Sequence, residues 1–259
     1  MLLVIDIGNT NTNIGIYKKD DLLKVYSIAS DHIKTSDEYG ILISSLLSAN
    51  NMKEDVHNAI ISSVVPTLGE TIKIAIKDYL NIDAYKVSYK SKLPINIAID
   101  TPKEAGADRI ANATAAVSLY KLPIIVIDIG TATTFDIIDE NKNFIGGIIA
   151  PGPKIQAKAL SQFTSKLPKL KIEAPKNAIG KNTIDAMLSG IVRGHEKMIE
   201  GMIELCEKEL NKKATIVATG GFSSVLFKEI DKKILEINKN LTLYGLKVIW
   251  DMNVGDKKC

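Results

Sequence analysis

The sequence predicts an α/β protein made of two related lobes, residues 1–120 and 121–259, and three observations lead there. The first is an internal repeat. Val4-Ile5-Asp6-Ile7-Gly8 recurs as Val126-Ile127-Asp128-Ile129-Gly130, close to half the chain later. The likeness extends outward, with L-L-V-I-D-I-G-N-T-N-T-N-I-G-I-Y facing I-I-V-I-D-I-G-T-A-T-T-F-D-I-I. The second is the order of apolar runs: three strand-like segments, then helices alternating with strands, appear once in each half. The third is composition. With 46% hydrophobic and 24% charged residues over 259 positions, the chain can fill one large core or two modest ones.

The elements follow in order. In each repeat an apolar run reaches an Asp, then Gly and small polar residues, then a second apolar run, which is a strand, a polar turn and a strand. The first half reads as strands near 2–6, 13–17 and 22–29, a helix near 36–50, a strand near 58–64 and a helix near 66–80. Pro66 suits the first turn of that helix, where its missing N–H costs nothing. A helix near 104–120 leads through Lys121-Leu122-Pro123 into the second half. There the pattern gives strands near 124–128, 133–138 and 143–149, helices near 153–160 and 182–210, and a buried strand at 214–218. A helix near 222–238 and a strand near 245–250 close the chain. The helix from Asn182 to Leu210 carries an apolar stripe of Ile184, Met187, Leu188, Ile191, Met198, Met202 and Cys206. His195 lies on that stripe and reads as a core or interface histidine. Gly190, Gly194 and Gly201 predict close approach of another backbone.

Several function classes drop out. Lys and Arg number 33 against 30 Asp and Glu, so no basic footprint for nucleic acid stands out. The chain has no apolar run of membrane-spanning length, and Met1-Leu2-Leu3-Val4-Ile5-Asp6 lacks the basic start of a signal peptide. Cys206 and Cys259 are the only cysteines, and His32, His57 and His195 the only histidines, with no metal-binding spacing. The expectation is a cytoplasmic protein that binds neither membrane nor nucleic acid.

Chemistry concentrates in the two repeated turns. In Asp6-Ile7-Gly8-Asn9-Thr10-Asn11-Thr12-Asn13 a strand-end carboxylate precedes Gly and a series of small polar residues. Such a turn can cradle phosphate oxygens while Asp6 holds Mg²⁺ through carboxylate and water; taken alone it is equally a plain hairpin turn. It contains no lysine, and the chain has no Walker A or dinucleotide glycine motif. The second copy, Asp128-Ile129-Gly130-Thr131-Ala132-Thr133-Thr134, would put a second polar turn across a cleft from the first. Gly220-Gly221 follows a buried strand and lets a flat ligand or a phosphate approach the backbone. Together the three form a nucleotide-binding signature.

This constellation resembles the two-lobed ATP-binding superfamily of actin, hexokinase and the heat-shock ATPases, and so implies two actin/ribonuclease H-like lobes with a nucleotide cleft between them. Four further stretches narrow it: Gly106-Ala107-Asp108-Arg109, D-I-G-T-A-T-T-F-D, G-G-x-I-x-P-G from Gly146 to Gly152, and N-T-x-D-A-M-x-S-G from Asn182 to Gly190. In that order, and with a match running to Asn240-Leu241-Thr242-Leu243-Tyr244-Gly245-Leu246, the chain resembles the type III pantothenate kinases.

The resemblance implies transfer of the γ-phosphoryl of ATP to the primary hydroxyl of pantothenate, giving 4'-phosphopantothenate and opening coenzyme A biosynthesis. It implies Asp108 as general base, with Gly106, Ala107, Asp108, Arg109 and Thr183 contacting substrate. Thr183 or Asn182 also suits a helix N-cap, and a helix N-terminus favours an anion such as the pantothenate carboxylate. Asp6, Ile7, Gly8, Asn9, Thr10, Asn11, Thr12 and Asn13 carry over as the phosphate loop and Thr131 as an ATP contact. Asp6 is the candidate for Mg²⁺ and Asp128 for a monovalent cation, K⁺ or NH₄⁺. A homodimer is implied as well, with the 182–210 helix near its interface. One position departs from the family pattern: an aromatic residue usually stands three before the Pro upstream of G-A-D-R, and here it is Ile99. Readings left open are a kinase of another small hydroxyl substrate, a non-catalytic ATP-binding regulator, and a filament-forming relative.

Overall fold

The computed structural model describes residues 1–226 and 236–255. The chain forms two compact units, Met1–Ser118 together with the C-terminal stretch from Asn240, and Leu119–Lys239. A lobe running unbroken from 121 to the C-terminus is therefore not what forms, because the last stretch packs within the first unit.

In the first unit β1 (Leu2–Ile7), β2 (Asn11–Lys18) and β3 (Asp21–Ala29) form an antiparallel meander. β4 (Asn58–Ser63) and β5 (Tyr85–Lys86) add parallel strands, giving the order β3-β2-β1-β4-β5. β1 is apolar on both faces because both are covered, and alternate side chains feed two cores. Leu3, Ile5 and Ile7 pack with residues of α1 (Ser36–Ser48) and α2 (Pro66–Leu80). Leu2 and Val4 pack with α3 (Ala107–Leu119) and α8 (Leu241–Asn253). Thr35 starts α1 with a capping box: its hydroxyl accepts from Glu38 N–H at 3.3 Å, and the Glu38 carboxylate accepts from Thr35 N–H at 2.8 Å. Pro66 opens α2 as expected. A further two-residue strand, β6, covers Asn96–Ile97.

The segment expected as a strand near 245–250 is the helix α8. Leu243, Leu246, Ile249 and Trp250 recur at helical spacing and bury one stripe on the second face of the sheet. Gly245 brings α8 against α3 so closely that a Cβ there would stand 1.9 Å from the Ala111 carbonyl oxygen. Thr242 Oγ1 adds a hydrogen bond to Asn112 Oδ1 at 2.7 Å. The apolar run near the C-terminus thus does a helix's work of fixing α3.

The second unit repeats the strand order. β7 (Ile124–Ile129), β8 (Ala132–Ile138) and β9 (Asn143–Pro151) form the antiparallel meander, and β10 (Thr215–Thr219) and β11 (Glu236–Ile237) add the parallel side, in the order β11-β10-β7-β8-β9. This is the internal duplication expressed as topology. α4 (Pro153–Phe163) follows β9, and α7 (Ser223–Leu226) follows β10; of the helix expected near 222–238, residues 227–235 lie outside the described residues, and Glu236–Ile237 form the strand β11 instead, paired with β10.

The predicted long helix is three joined pieces: α5 (Thr183–Leu188), a π-helical segment (Ser189–Arg193) and α6 (Gly194–Leu210). The wide π turn shifts the register. Met187, Leu188 and Ile191 of the expected stripe are buried and Ile184 is exposed. Beyond them Val192, His195, Glu196, Ile199 and Ile203 are buried, while Met198, Met202 and Cys206 sit half-buried at the margin of the core that holds Val192, Ile199 and Ile203. Gly190, Gly194 and Gly201 have open space where a Cβ would stand, so the close backbone approach expected at them is not made within the described chain.

Candidate active site

The first repeated turn joins β1 to β2. Gly8 N–H donates to Asn11 O at 3.0 Å and closes it, leaving Asn9, Thr10 and Asn11 exposed. The end of β3 braces it: Ser30 N–H donates to Thr10 O at 2.9 Å, and the Ser30 and Thr12 hydroxyls lie 2.9 Å apart. The Ile7 side chain is wholly in the core and Thr12 is buried, so neither side chain faces solvent at the turn. Asn13 is half-buried.

Asp6, at the end of β1, is half-buried, and its Oδ1 accepts from Ser62 Oγ–H at 2.5 Å. Ser62 is fully buried and stands opposite Asp6 in the β1–β4 register. Sequence reading passed over Ser62, although a Ser at the end of an apolar strand beside the carboxylate strand was the available signal. A single carboxylate held this way suits Mg²⁺ that keeps much of its water and is otherwise held by phosphate oxygens. Among the described residues no group of three His, Cys, Asp or Glu side chains forms a metal cage.

Asp108 lies in the first turn of α3. Its Oδ1 accepts from Arg109 N–H at 2.8 Å. Burial pushes its carboxyl above the ordinary carboxylate range, and the Arg109 N–H and guanidinium pull it only part of the way back. Gly106 makes this pose possible, since a Cβ there would stand 2.5 Å from Asp108 Oδ1. Ala107 and Arg109 flank the carboxylate and are half-buried, as is Ile99.

In the second unit the turn between β7 and β8 closes through Gly130 N–H to Ala132 O at 3.0 Å, with Asp128 and Thr131 half-buried. Gly220, at φ +90°, presses on this turn: a Cβ there would be 2.5 Å from Asp128 Oδ1 and 2.6 Å from Ile129 N. The strand-end Gly-Gly thus belongs with the second turn. Thr183 is the exposed first residue of α5, behind an Asn182 cap whose Oδ1 accepts from Asp185 N–H at 2.9 Å. It lies on a groove of about 860 Å³ with Leu160, Phe163, Met187 and Ile191.

The first unit therefore brings together Asp6 through Asn13 at one turn and carries Asp108 with its neighbours on α3. The second unit brings together Asp128, Thr131 and Gly220, with Thr183 on a groove that Gln156 also lines.

Comparison with known proteins narrows the reading. The family model for type III pantothenate kinase matches residues 2–205. The chain is 48% identical over 260 residues to the type III pantothenate kinase of Finegoldia magna, covering 99% of each. It is 40% identical over 255 residues to that of Halalkalibacterium halodurans, covering 98% of this chain and all of the relative. A solved structure of component A of (R)-2-hydroxyglutaryl-CoA dehydratase from Acidaminococcus fermentans, 16% identical, covers 95% of this chain and 94% of its own with a TM-score of 0.54. That likeness is one of fold.

Proposed function

The chain belongs to the type III pantothenate kinase family, and from that premise we propose that Asp108 is the general base of its reaction. That reaction is ATP-dependent phosphorylation of pantothenate to 4'-phosphopantothenate, the first step of coenzyme A biosynthesis. The observation that carries the proposal is the Asp108 carboxyl, held at the start of α3 with its pKa raised by burial. A base works best when its pKa approaches the working pH, and burial moves Asp108 in that direction. Phosphoryl transfer otherwise needs alignment and charge neutralisation more than covalent help.

The remaining roles divide by unit. In the first, the exposed polar turn at Asn9, Thr10 and Asn11 offers side-chain amides and a hydroxyl to phosphate oxygens, with Gly8 keeping the backbone close. Asn13, half-buried near the start of β2, adds a further amide. Ile7 and Thr12 contribute through backbone only, since their side chains are buried. Gly106, Ala107 and Arg109 bind pantothenate beside Asp108. In the second unit Thr131 contacts ATP, Asp128 holds K⁺ or NH₄⁺, and Thr183 meets the substrate. Asp6, steadied by Ser62, holds Mg²⁺. The divalent ion lowers the charge repulsion that opposes attack on the phosphoryl group. With no lysine on the first turn, the rest of that charge falls to backbone N–H groups and Arg109.

A homodimer completes the proposal. Phe163 and Ile184 are exposed apolar side chains next to the Thr183 groove, the kind of surface a second copy would cover. A cytoplasmic location is proposed with it; among the described residues no helix is long and apolar enough to cross a membrane.

The test is the pH dependence of kcat/KM for pantothenate, measured with K⁺ and again with Na⁺. The acid limb should lie above the ordinary carboxylate range, and Na⁺ should depress turnover. An acid limb at about 4, the unperturbed Asp value, would remove Asp108 from the role of base, and equal rates with Na⁺ would remove the cation from Asp128.

A further inference from the structure

His195, the buried histidine of α6, sits at the centre of a network that reaches the second repeated turn by two routes. The residue is 2% exposed. Its Nδ1 lies 2.8 Å from Gln156 Nε2 and its Nε2 lies 2.8 Å from Thr133 Oγ1. The Gln156 amide nitrogen also donates to Pro151 O at 2.9 Å. A primary amide has two N–H groups, and with one on Pro151 O the other points at His195 Nδ1, which must accept. The ring proton is then on Nε2 and donates to Thr133. Both imidazole nitrogens are used, in the neutral form that burial favours.

Thr133 is fully buried at the start of β8, two residues beyond Thr131, and pairs in register with Ile129 and Ala150. On the other route, Pro151 leads into Gly152, whose N–H donates to Thr131 O at 3.1 Å. Gly152 lies so close to the turn that a Cβ there would stand 2.5 Å from the carbonyl oxygens of both Gly130 and Thr131. Its place at the end of G-G-x-I-x-P-G is thus a contact requirement. The turn is gripped from α4 through Gly152 and from α6 through Thr133, and Gln156 with His195 ties the two grips together.

We infer that His195 and Gln156 are positioning residues that fix the Thr131 turn for ATP, a role that rests on the reading of Thr131 as an ATP contact. Neither touches ATP itself. Losing one neutral hydrogen bond loosens the turn by an amount worth a few-fold in affinity.

The experiment uses full-length Gln156→Met, Thr133→Val and His195→Gln, with Thr131→Ala as reference. Gln156→Met, at a half-buried site, and Thr133→Val, close in shape, are the variants least able to unfold the chain. For each, KM for ATP, KM for pantothenate, kcat and Tm are measured. The expected result is a rise of about 3- to 10-fold in KM for ATP with KM for pantothenate within about 2-fold, and partial recovery in His195→Gln, whose amide can still donate to Thr133 (about 1 kcal/mol per hydrogen bond). A lowered Tm with unchanged KM for ATP in Gln156→Met and Thr133→Val, while Thr131→Ala raises it, overturns the inference and leaves the reading of Thr131 standing. An unchanged KM for ATP in Thr131→Ala itself overturns that reading first.

Discussion

Gly245→Ala separates two opposed effects at the contact between α8 and α3. In a helix interior Ala is favoured over Gly by about 1 kcal/mol, so propensity alone predicts a more stable protein. The new Cβ, however, would stand 1.9 Å from the Ala111 carbonyl oxygen and 2.6 Å from its carbon. An ordinary carbon–oxygen contact is about 3.3 Å, so the two helices must part by roughly 1.4 Å on that scale. Both contact groups are backbone, which no rotamer change can move aside. Overpacking of this kind costs about 1–3 kcal/mol, and a clash against backbone belongs at the upper end, leaving a net loss of about 1–2 kcal/mol. For a chain of this size that lowers Tm by about 2–8 °C. Ala111 stands one helical turn beyond Asp108, so displacement of α3 carries the proposed base with it, and a shift of about 1 Å can cost about 100-fold in rate. Thermal unfolding and pantothenate-dependent ADP release on the same preparation read both consequences. A Tm that rises with full activity would refute the reasoning, because propensity would then have outweighed the contact.

Two further predictions follow from the site. Ser62→Ala removes the hydrogen bond to Asp6 Oδ1 and should raise the Mg²⁺ concentration needed for half-maximal activity by about 3- to 10-fold, in keeping with about 1 kcal/mol for one such bond; an unchanged Mg²⁺ dependence would show that Asp6 needs no such support. Asp108→Asn should raise Tm at pH 7. The carboxyl has a folded-state pKa above its unfolded value, so its ionised form opposes folding. That cost is absent below the unfolded carboxylate range and appears as pH rises through the folded value, so the gain in Tm should fade toward acid pH. A Tm lowered at neutral pH would contradict the direction of the shift.

The duplication was readable because the repeated segments are central strands, buried on both faces and therefore nearly uninterrupted in apolar character. β1 and β7 are such strands, and each is followed by its partner across a polar turn. The carboxylates and small polar residues of the turns stand out in the sequence for the same reason: they break an apolar pattern. What escaped was decided by tertiary contact. The run from Leu243 to Trp250 has enough apolar residues to suggest a strand, yet Lys247 sits among residues spaced for a helix, and the sheet face it covers belongs to the first unit. On α6 the π segment moved the buried stripe by one residue, a shift no periodicity in the sequence announces. Ser62, Gln156 and Thr133 are ordinary polar residues until register and helix packing set them beside Asp6, His195 and the second turn.

The most direct test of Asp108 as base compares wild type with Asp108→Asn in pantothenate-dependent ADP formation, with ATP binding measured on the same samples. The account predicts a loss of about 10²- to 10⁴-fold in turnover, the range for removal of a general base, with ATP affinity within a few-fold of wild type. Turnover in Asp108→Asn close to that of wild type would contradict it.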